Sequence, residues 1–511
     1  SVVLLCSGFA LYSFFRLSAA EGQKDFNLYE LVPSTTSAVF VTDDVLEFVA
    51  EVDELTCSKN QQYLYVSKLF SYLKQSLYAL SEDTPHGLSR QMNQMLISFH
   101  EPDNERNQVL YCRLGNGDKE LVNRFVRKYI SSLYPPKTFI YKGEEIIIYP
   151  MADGDFLACY LTSDFMALSF QKKLIENVID AYKSGKSLAD DSTFTGIRAP
   201  KKSAAAATIY TRMQGLMGWT EFDMKMKDDF IYFSGITHDA DTCFAFINQL
   251  RQQQSVKGFP GEVLPSTAFY FSRQGITDWV SLLSYGNAQG QSVPARTSEV
   301  QNRDKEFSRY LMENAGQDLV ACLFQREDTL QGAAAVLSLS VADVTEAERM
   351  LRALVNAASA DEGRRNPRIT FCYTVNKAYP IYRLPQTTLF EQLTSFAEPT
   401  LDVYAAFYGG RLLLAPDADA LAHYIRQLDK GEVLNGAMAY QTGMDHLSDS
   451  YHFMLMADFD HIFQQSENHV RFVPDFFLRN ADFFRHFTLF VQFACADGMV
   501  YPNIVLKYKS E

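Results

Sequence analysis

The chain has 511 residues, of which 47% are hydrophobic and 14% aromatic, and this composition excludes a largely disordered protein. Its formal net charge of −14 at pH 7 gives a surface that repels phosphate backbones and anionic lipid headgroups. No run of Lys and Arg is dense enough to reverse that charge locally, so we expect no nucleic-acid partner.

The chain starts with an apolar segment. Val2 to Phe15 is almost wholly apolar and Arg16 follows it. These residues fall short of the roughly 20 that span a bilayer, so upstream residues would have to complete the span. The small residues 18–20 instead fit signal-peptide cleavage. We predict a transmembrane signal-anchor over residues 1–20 and a linker over 21–30, with a cleaved, soluble periplasmic protein as the alternative.

Cysteine usage does not indicate a disulfide framework. Of the eight cysteines, Cys6 lies in the apolar segment, which leaves an odd number that are widely scattered and contain no CxxC pair. Most of them stand in apolar stretches, as Cys372 does between Phe371 and Tyr373. We therefore predict buried free thiols and leave disulfides open.

Two parts of the chain match each other at a fixed interval. Asp180–Leu188 aligns with Arg426–Leu434, which places glycines at 185 and 431, an offset of 246. A proline-led strand opens each part, at Pro33 and at Pro265. Because apolar positions recur where a strand–helix–loop–strand unit would bury them, the pattern predicts one fold used twice.

The predicted elements follow the same order in both parts. An opening strand and a helical stretch come first, then a strand, a helix and a hairpin, and finally a strand pair, a helix and closing strands. The middle three are Gln108–Leu114, Lys119–Ile130 and Thr138–Met151 in the first part and Ala333–Val341, Thr345–Ala357 and Ile369–Leu384 in the second. Strands in adjacent runs with polar turns favour antiparallel pairing. We predict an α+β fold of two duplicated lobes, 31–255 and 262–511, each a mainly antiparallel sheet with packed helices.

The second lobe carries a segment that the first lacks. Tyr232 matches Tyr501 at an offset of 269 and not 246, so 23 extra residues precede Tyr501. They fall in the region 460–497, the most aromatic part of the chain, where phenylalanines are interleaved with arginines. Packing under the sheet or between the lobes is one interpretation, and a surface that docks a partner or an acyl chain is the other. The candidate interaction surface comprises Phe472, Phe476, Phe477, Phe483, Phe484 and Phe487.

Motifs that suggest chemistry have structural explanations. Ser184–Ser187 resembles the end of a phosphate-binding loop, but it closes a helix and lacks the upstream glycine, so a helix C-cap explains it better. Histidines crowd between 423 and 486 at irregular spacings, and Asp458 is placed to cap a helix that follows a strand. We therefore assign no catalytic, cofactor-binding or metal-binding residue and expect no cofactor.

The repeated marks also carry a resemblance. They are a proline-led strand and a helix closing on glycine, followed by a short loop ending in leucine and then an aromatic residue. Here they are Pro33, Gly185–Leu188 and Phe194 in the first lobe and Pro265, Gly431–Leu434 and Tyr440 in the second. With these marks, residues 31–511 resemble a broad bacterial family known as a domain of unknown function. The resemblance implies an N-terminal membrane segment and an exported region of two related halves, and it carries over no activity, cofactor or catalytic residue.

These observations lead to one functional expectation. We expect a single-pass protein of the Gram-negative inner membrane, with the bulk of the chain in the periplasm, that binds a ligand or protein partner without catalysis. Its expected partners are the inner membrane, through the N-terminal segment, and an envelope protein or lipid. The binding site is expected in the cleft between the lobes or around Phe472–Phe493. The alternatives are a structural subunit of an envelope complex and an enzyme of unrecognised type.

Overall fold

The structure is a computed structural model of the chain. It describes residues 26–60, 93–101, 106–115, 118–125, 134–151, 154–198, 205–212, 219–237, 245–283, 297–326, 332–361, 369–375, 377–394, 402–465 and 473–509. The fold is α+β with extensive antiparallel sheet, which confirms the predicted fold class at that level. The chain divides into two compact units. Unit 1 comprises Ser1–Ala50 and Tyr65–Thr211, and unit 2 comprises Glu51–Leu64 and Arg212–Glu511.

The strands of unit 1 form one antiparallel arrangement. They are β1 (Ala38–Thr42), β2 (Met95–Phe99), β3 (Gln108–Arg113), β4 (Lys137–Tyr141), β5 (Glu144–Pro150), β6 (Phe156–Leu161), β7 (Phe165–Ser169) and β8 (Ala207–Thr211). They pair in the order β8–β1–β2–β3–β7–β6–β5–β4. Among the described residues, β4 pairs only with β5 and is therefore an edge strand.

Unit 2 has a longer arrangement of the same kind. Its strands are β9 (Thr220–Lys227), β10 (Phe230–Thr237), β11 (Val256–Lys257), β12 (Ala268–Gly275), β13 (Ala315–Gln325), β14 (Ala333–Val341), β15 (Ile369–Tyr373), β16 (Ala378–Pro385), β17 (Asp402–Tyr408), β18 (Arg411–Ala415), β19 (Ser450–Tyr451), β20 (Phe453–Asp458), β21 (Phe487–Ala496) and β22 (Met499–Tyr508). They pair in the order β9–β10–β22–β21–β20–β12–β13–β14–β18–β17–β16–β15, and β11 pairs with β19. In the described part of unit 2, β15 is an edge strand beside β16.

Helices connect and cover these strands. They are α1 (Val45–Glu54), α2 (Thr56–Lys59), α3 (Asp118–Phe125), α4 (Lys172–Ser184), α5 (Ser192–Ile197), α6 (Ala245–Arg251), α7 (Ser298–Asn314), α8 (Val344–Asp361), α9 (Leu389–Leu393), α10 (Ala418–Asp429), α11 (Met438–Met444), α12 (Phe459–Phe463), α13 (Asp475–Arg479) and α14 (Ala481–Phe484). Helices α4 and α10 bury apolar side chains at helical spacing, which is why each packs one face on a sheet. The buried apolar residues are Leu174, Ile175, Val178, Ile179 and Ala181 in α4 and Ala420, Leu421, Tyr424 and Ile425 in α10.

The loops after α4 and α10 return to the opening strands in the same way. Gly185 and Gly431 have φ of +63° and +75°, the left-handed conformation that glycine adopts most readily. Backbone hydrogen bonds then join each loop to the segment before the opening strand. These bonds are Leu188 N–H to Val32 O at 2.8 Å and Leu434 N–H to Leu264 O at 2.9 Å. The glycines are therefore helix-ending residues, as predicted.

The last strands before residue 255, the predicted limit of the first lobe, pair within unit 2. Strands β9 and β10 group with unit 2, because β10 pairs antiparallel with β22 from Phe230↔Lys507 to Ser234↔Asn503. Sequence comparison matches β10 with β22 and so assigns β10 to the first lobe. It has no means to detect that two matching strands pair with each other.

The predicted N-terminal anchor, residues 1–20, lies outside the described residues, as does the first half of the predicted linker. From Phe26 onward, no helix that the structure describes is both long enough and apolar enough to cross a membrane.

Candidate interaction surfaces

The phenylalanine-rich segment forms short helices and a strand. Its residues continue α12, pass through α13 and α14, and enter β21. These helices lie between β20 and β21, where the sequence comparison of the two predicted lobes places the extra length. Phe472 and the side chain of Phe476 lie outside the described residues.

Two of the candidate phenylalanines are core residues. Phe484 is 2% exposed and Phe487 is 0% exposed. The ring of Phe484 lies 5.7 Å from that of Phe459, and the ring of Phe487 lies 5.4 Å from that of Tyr508. Phe484 and Phe487 therefore do not lie on the predicted exposed surface, because their rings are buried within unit 2 against Phe459 and Tyr508.

Phe477 and Phe483 are half-buried against the same cluster. The ring of Phe477 lies 4.9 Å from Phe459 and 4.8 Å from Phe484. The ring of Phe483 lies 5.1 Å from Phe484 and 4.8 Å from Phe487. Aromatic pairs in this range contribute about 0.5–1.5 kcal/mol beyond their buried area. These rings therefore serve the packing of unit 2 more than an exposed surface.

Asp458 organises the start of this segment. Its carboxylate accepts the backbone N–H of Asp460 at 3.1 Å and thereby caps α12, and Lys509 Nζ and His461 Nδ1 lie 2.7 Å and 3.3 Å from it. Burial alone would raise the pKa of Asp458, but the adjacent His461 ring and Lys509 ammonium group outweigh burial and lower this pKa. The adjacent Asp458 carboxylate in turn raises the pKa of His461.

The other histidines of the crowded region have separate structural contacts. The His446 ring lies 4.3 Å from the ring of Phe230, and His452 Nδ1 accepts the backbone N–H of Cys495 at 3.1 Å. His469 lies outside the described residues. Among the residues that the structure does describe, no three His, Cys, Asp or Glu are grouped to hold a metal ion.

The loop that resembles a phosphate-binding site makes hydrogen bonds to other residues of the chain. The carbonyl of Lys186 accepts the backbone N–H of Ser34 at 3.2 Å, and Ser187 Oγ donates to Asp190 at 2.6 Å. The Lys186 side chain is exposed. Because α4 ends before this loop, its amides do not form the helix N-terminus that binds phosphate.

The described cysteines are free thiols, which confirms the prediction for these residues. All are buried except Cys495, which is half-buried, and the set comprises Cys57, Cys112, Cys159, Cys322, Cys372 and Cys495. Burial raises the pKa of Cys112 and Cys159 to about 12, so neither is a reactive thiolate near neutral pH. Cys6 and Cys243 lie outside the described residues.

A serine–histidine pair in unit 1 is the arrangement most similar to a catalytic one. Ser98 Oγ lies 2.9 Å from His100 Nε2 and 3.0 Å from the Tyr111 hydroxyl. Ser98 and Tyr111 are 0% exposed, so no substrate reaches the hydroxyl. Burial lowers the pKa of His100 to about 4, far from the value near neutrality that suits a general base. This pair therefore fits a neutral, buried hydrogen-bond network.

Many of the exposed large apolar side chains among the described residues lie near the two edge strands. In unit 1 these are on or beside strands β4–β6, and in unit 2 on or just after β15. They are Tyr134, Phe139, Ile140 and Phe156 in unit 1 and Ile369, Phe371, Tyr373 and Val375 in unit 2, whereas Leu46, Tyr182, Val280, Met312 and Met438 are exposed elsewhere. Open strand edges are usually protected, because their unpaired backbone groups recruit other strands. Exposed apolar residues on such edges are typical of interaction surfaces.

Sequence reasoning missed these edges, although a signal was present. Thr138–Tyr141 reads Thr-Phe-Ile-Tyr and Thr370–Tyr373 reads Thr-Phe-Cys-Tyr. The two tetrapeptides lie 232 positions apart, from 139 to 371, which is also the distance from Pro33 to Pro265. In each strand apolar residues occupy both faces, which indicates a strand without the usual solvent-facing side.

Comparison of the chain with protein families, with curated proteins and with solved structures finds no match.

Proposed function

We propose that the protein is an exported, membrane-tethered protein of the bacterial envelope that acts by binding through its exposed edge strands and not by catalysis. The observation that carries this proposal is the pair of apolar edges. Phe139 in β4 is 43% exposed and Phe371 in β15 is 51% exposed, each at the outer end of its strand order. Aromatic side chains exposed on an open edge strand favour unwanted pairing with other strands, so their presence supports a surface that binds a partner.

The proposal includes a duplicated architecture. The order β8–β1–β2–β3–β7–β6–β5–β4 in unit 1 corresponds, strand for strand, to β20–β12–β13–β14–β18–β17–β16–β15 in unit 2. Isolated bridges also recur, with Pro33↔Ser187 in one unit and Pro265↔Val433 in the other. The same order and the same bridges support one ancestral unit, whose two copies each keep an apolar edge.

The tether is the segment Val2–Phe15, whose apolar composition supports a membrane anchor. We test it by treating spheroplasts and intact membranes with protease and with alkaline carbonate. The full chain should be digested from the periplasmic side and should stay with the membrane after carbonate extraction. A variant lacking residues 1–20 should be extracted. Protection of the bulk of the full chain until the membrane is disrupted would place it in the cytoplasm and refute the proposal.

Binding through the edges is tested with paired substitutions. The double variant Phe139→Ser and Phe371→Ser should lose the complexes that the full chain forms under cross-linking in intact envelopes. Lys186→Ala, an exposed change outside both edge strands, serves as the control and should keep them. Identical cross-linked complexes in the edge variant and the control would contradict the proposal.

A further inference from the structure

We propose that the β4 edge of unit 1 lies against the interfacial region of a zwitterionic lipid bilayer. This inference rests on the proposed membrane tether and names the partner of one of the two edges. It concerns β4 with Phe139 and Ile140, the flanking Tyr134, and the turn after Tyr141.

The chain enters unit 1 next to this edge. The ring of Phe26, the first described residue, lies 5.9 Å from the ring of Tyr182 near the end of α4. The neighbouring Lys183 donates through Nζ to the carbonyl of Lys142, in the turn between β4 and β5, at 2.6 Å. The tyrosine hydroxyl of Tyr141 donates to Asp180, also on α4, at 3.1 Å. The point where the chain leaves towards its apolar segment and the β4–β5 turn therefore contact the same last turns of α4.

The connection to the apolar segment is short. Phe15 and Phe26 are 11 residues apart. At about 3.3–3.6 Å per residue, that connection spans at most roughly 40 Å. A tether of this length holds unit 1 near the bilayer surface at a high effective concentration, so a weak contact suffices. A stable interface between two copies of the chain, by contrast, needs roughly 1,000 Å² of buried surface, and an edge strand of 5 residues is small for that area.

The chemistry of the edge matches the headgroup region. Ile140 is 71% exposed and Tyr134 is 73% exposed. Aromatic rings favour the membrane–water interface, and lysine stems lie along apolar surface while their ammonium groups reach water. Lys172 Nζ lies 5.2 Å from the centre of the Phe139 ring, within cation–π distance, and 2.6 Å from Glu176 Oε1, so its charge is balanced beside this edge.

Charge selects the type of lipid. The nearby carboxylates are balanced, with Lys142 Nζ 2.6 Å from Asp180 and Lys183 Nζ 2.8 Å from Glu144. Lys137 on β4 and Glu145 on β5 add one charge of each sign, so the edge is close to neutral, whereas the whole chain has a formal charge of −14 and is repelled by anionic headgroups. These charges therefore favour a zwitterionic lipid surface as the partner.

The chain offers a sensitive test, because it has only 2 tryptophans. Both are buried, Trp219 at 1% and Trp279 at 7% exposed. We introduce one indole at the β4 edge with Ile140→Trp and, as the matched control, one at the other edge with Val375→Trp, where the side chain is 96% exposed. The full-length variants are reconstituted into zwitterionic vesicles in which part of the phosphatidylcholine carries brominated acyl chains, which quench indoles that enter the bilayer.

The expected result is that bromination lowers the emission added by Ile140→Trp, because an indole at interfacial depth reaches the acyl chains, while the emission added by Val375→Trp stays unchanged. Vesicle flotation of each variant is measured in parallel. Failure of the full chain to float overturns the tether and, with it, this inference. Flotation without quenching at position 140 overturns the lipid contact alone and leaves the tether standing. Equal quenching at both positions overturns the assignment to β4. Emission that changes with protein concentration but not with bromination identifies a second copy of the chain as the partner and also overturns the inference.

Discussion

Phe487 and Phe371 provide a direct comparison of a buried and an exposed phenylalanine within unit 2. Phe487 is 0% exposed, and Phe371 is 51% exposed on the edge strand β15. Truncation of a buried phenylalanine to alanine costs about 3–5 kcal/mol, because apolar contacts are lost and a cavity remains. Truncation at an exposed position away from special features usually changes the free energy of unfolding by no more than about 0.5 kcal/mol.

Urea unfolding followed by tryptophan emission measures this difference. Trp219 and Trp279 both belong to unit 2, so their emission reports the unfolding of that unit. With a slope of about 3 kcal/mol per molar urea, Phe487→Ala should lower the midpoint by roughly 1–1.7 M. Phe371→Ala should shift it by less than about 0.2 M.

The comparison decides what the phenylalanine-rich segment does. If Phe487→Ala moves the midpoint no further than Phe371→Ala, the ring is not part of the core, and an interaction surface at Phe484 and Phe487 is again tenable. An unchanged slope in both variants is required, since a changed slope would mean that the unfolding transition itself had changed.

Three further predictions concern pH and the loops. Burial lowers the pKa of His100 from 6.5 to about 4, so the unfolded chain binds this proton more tightly than the folded chain does. The contribution of His100 to the free energy of unfolding of unit 1 should be complete above pH 6.5 and should fall by at most about 3 kcal/mol towards pH 4. Calorimetry should show that His100→Gln loses less stability than the parent chain when the pH is lowered. The pKa of His461 is raised by Asp458, so its contribution is present below about pH 6.5 and is lost as pH rises through the folded pKa; the melting temperature of His461→Gln should fall further below that of the parent chain at pH 6 than at pH 8.5, and the reverse order would contradict the pairing. Gly431, at φ +75°, should lose about 1 kcal/mol on substitution by alanine, whereas Lys186→Ala should be neutral; ATP binding that disappears in Lys186→Ala would restore the phosphate-loop interpretation.

Features set by local chemistry could be predicted from the sequence. Gly185 and Gly431 follow amphipathic helices and precede loops that need a left-handed residue, so their role is readable from neighbours alone. Asp458 likewise stands between a strand and a short helix and caps it. The α+β class follows from adjacent strand runs, which short turns can only pair antiparallel.

Features set by distant contacts could not be predicted. The sequence alone does not distinguish a buried phenylalanine such as Phe484 from an exposed one such as Phe139. The difference comes from residues far along the chain: Phe459 lies against Phe484, whereas β4 has one strand neighbour among the described residues. Which strands end a sheet depends on its complete order, and no window of sequence contains that information.

The antiparallel pairing of β10 with β22 covers one edge of each of these two strands. The ladder joins Ser234 to Asn503, and those two positions are also equivalents at the offset of 269 that matches Tyr232 with Tyr501. Equivalent residues that meet across an antiparallel ladder define a local two-fold axis, as in an isologous interface between identical subunits. In the proposed duplication, each of these strands covers the open edge of its counterpart. In the same proposed duplication strands β4 and β15 are equivalents as well, yet each has only one described neighbour and carries exposed phenylalanine. One pair of equivalent edges is thus covered, and the other pair is open and apolar among the described residues, which is why we propose the second pair as the surface that contacts a partner.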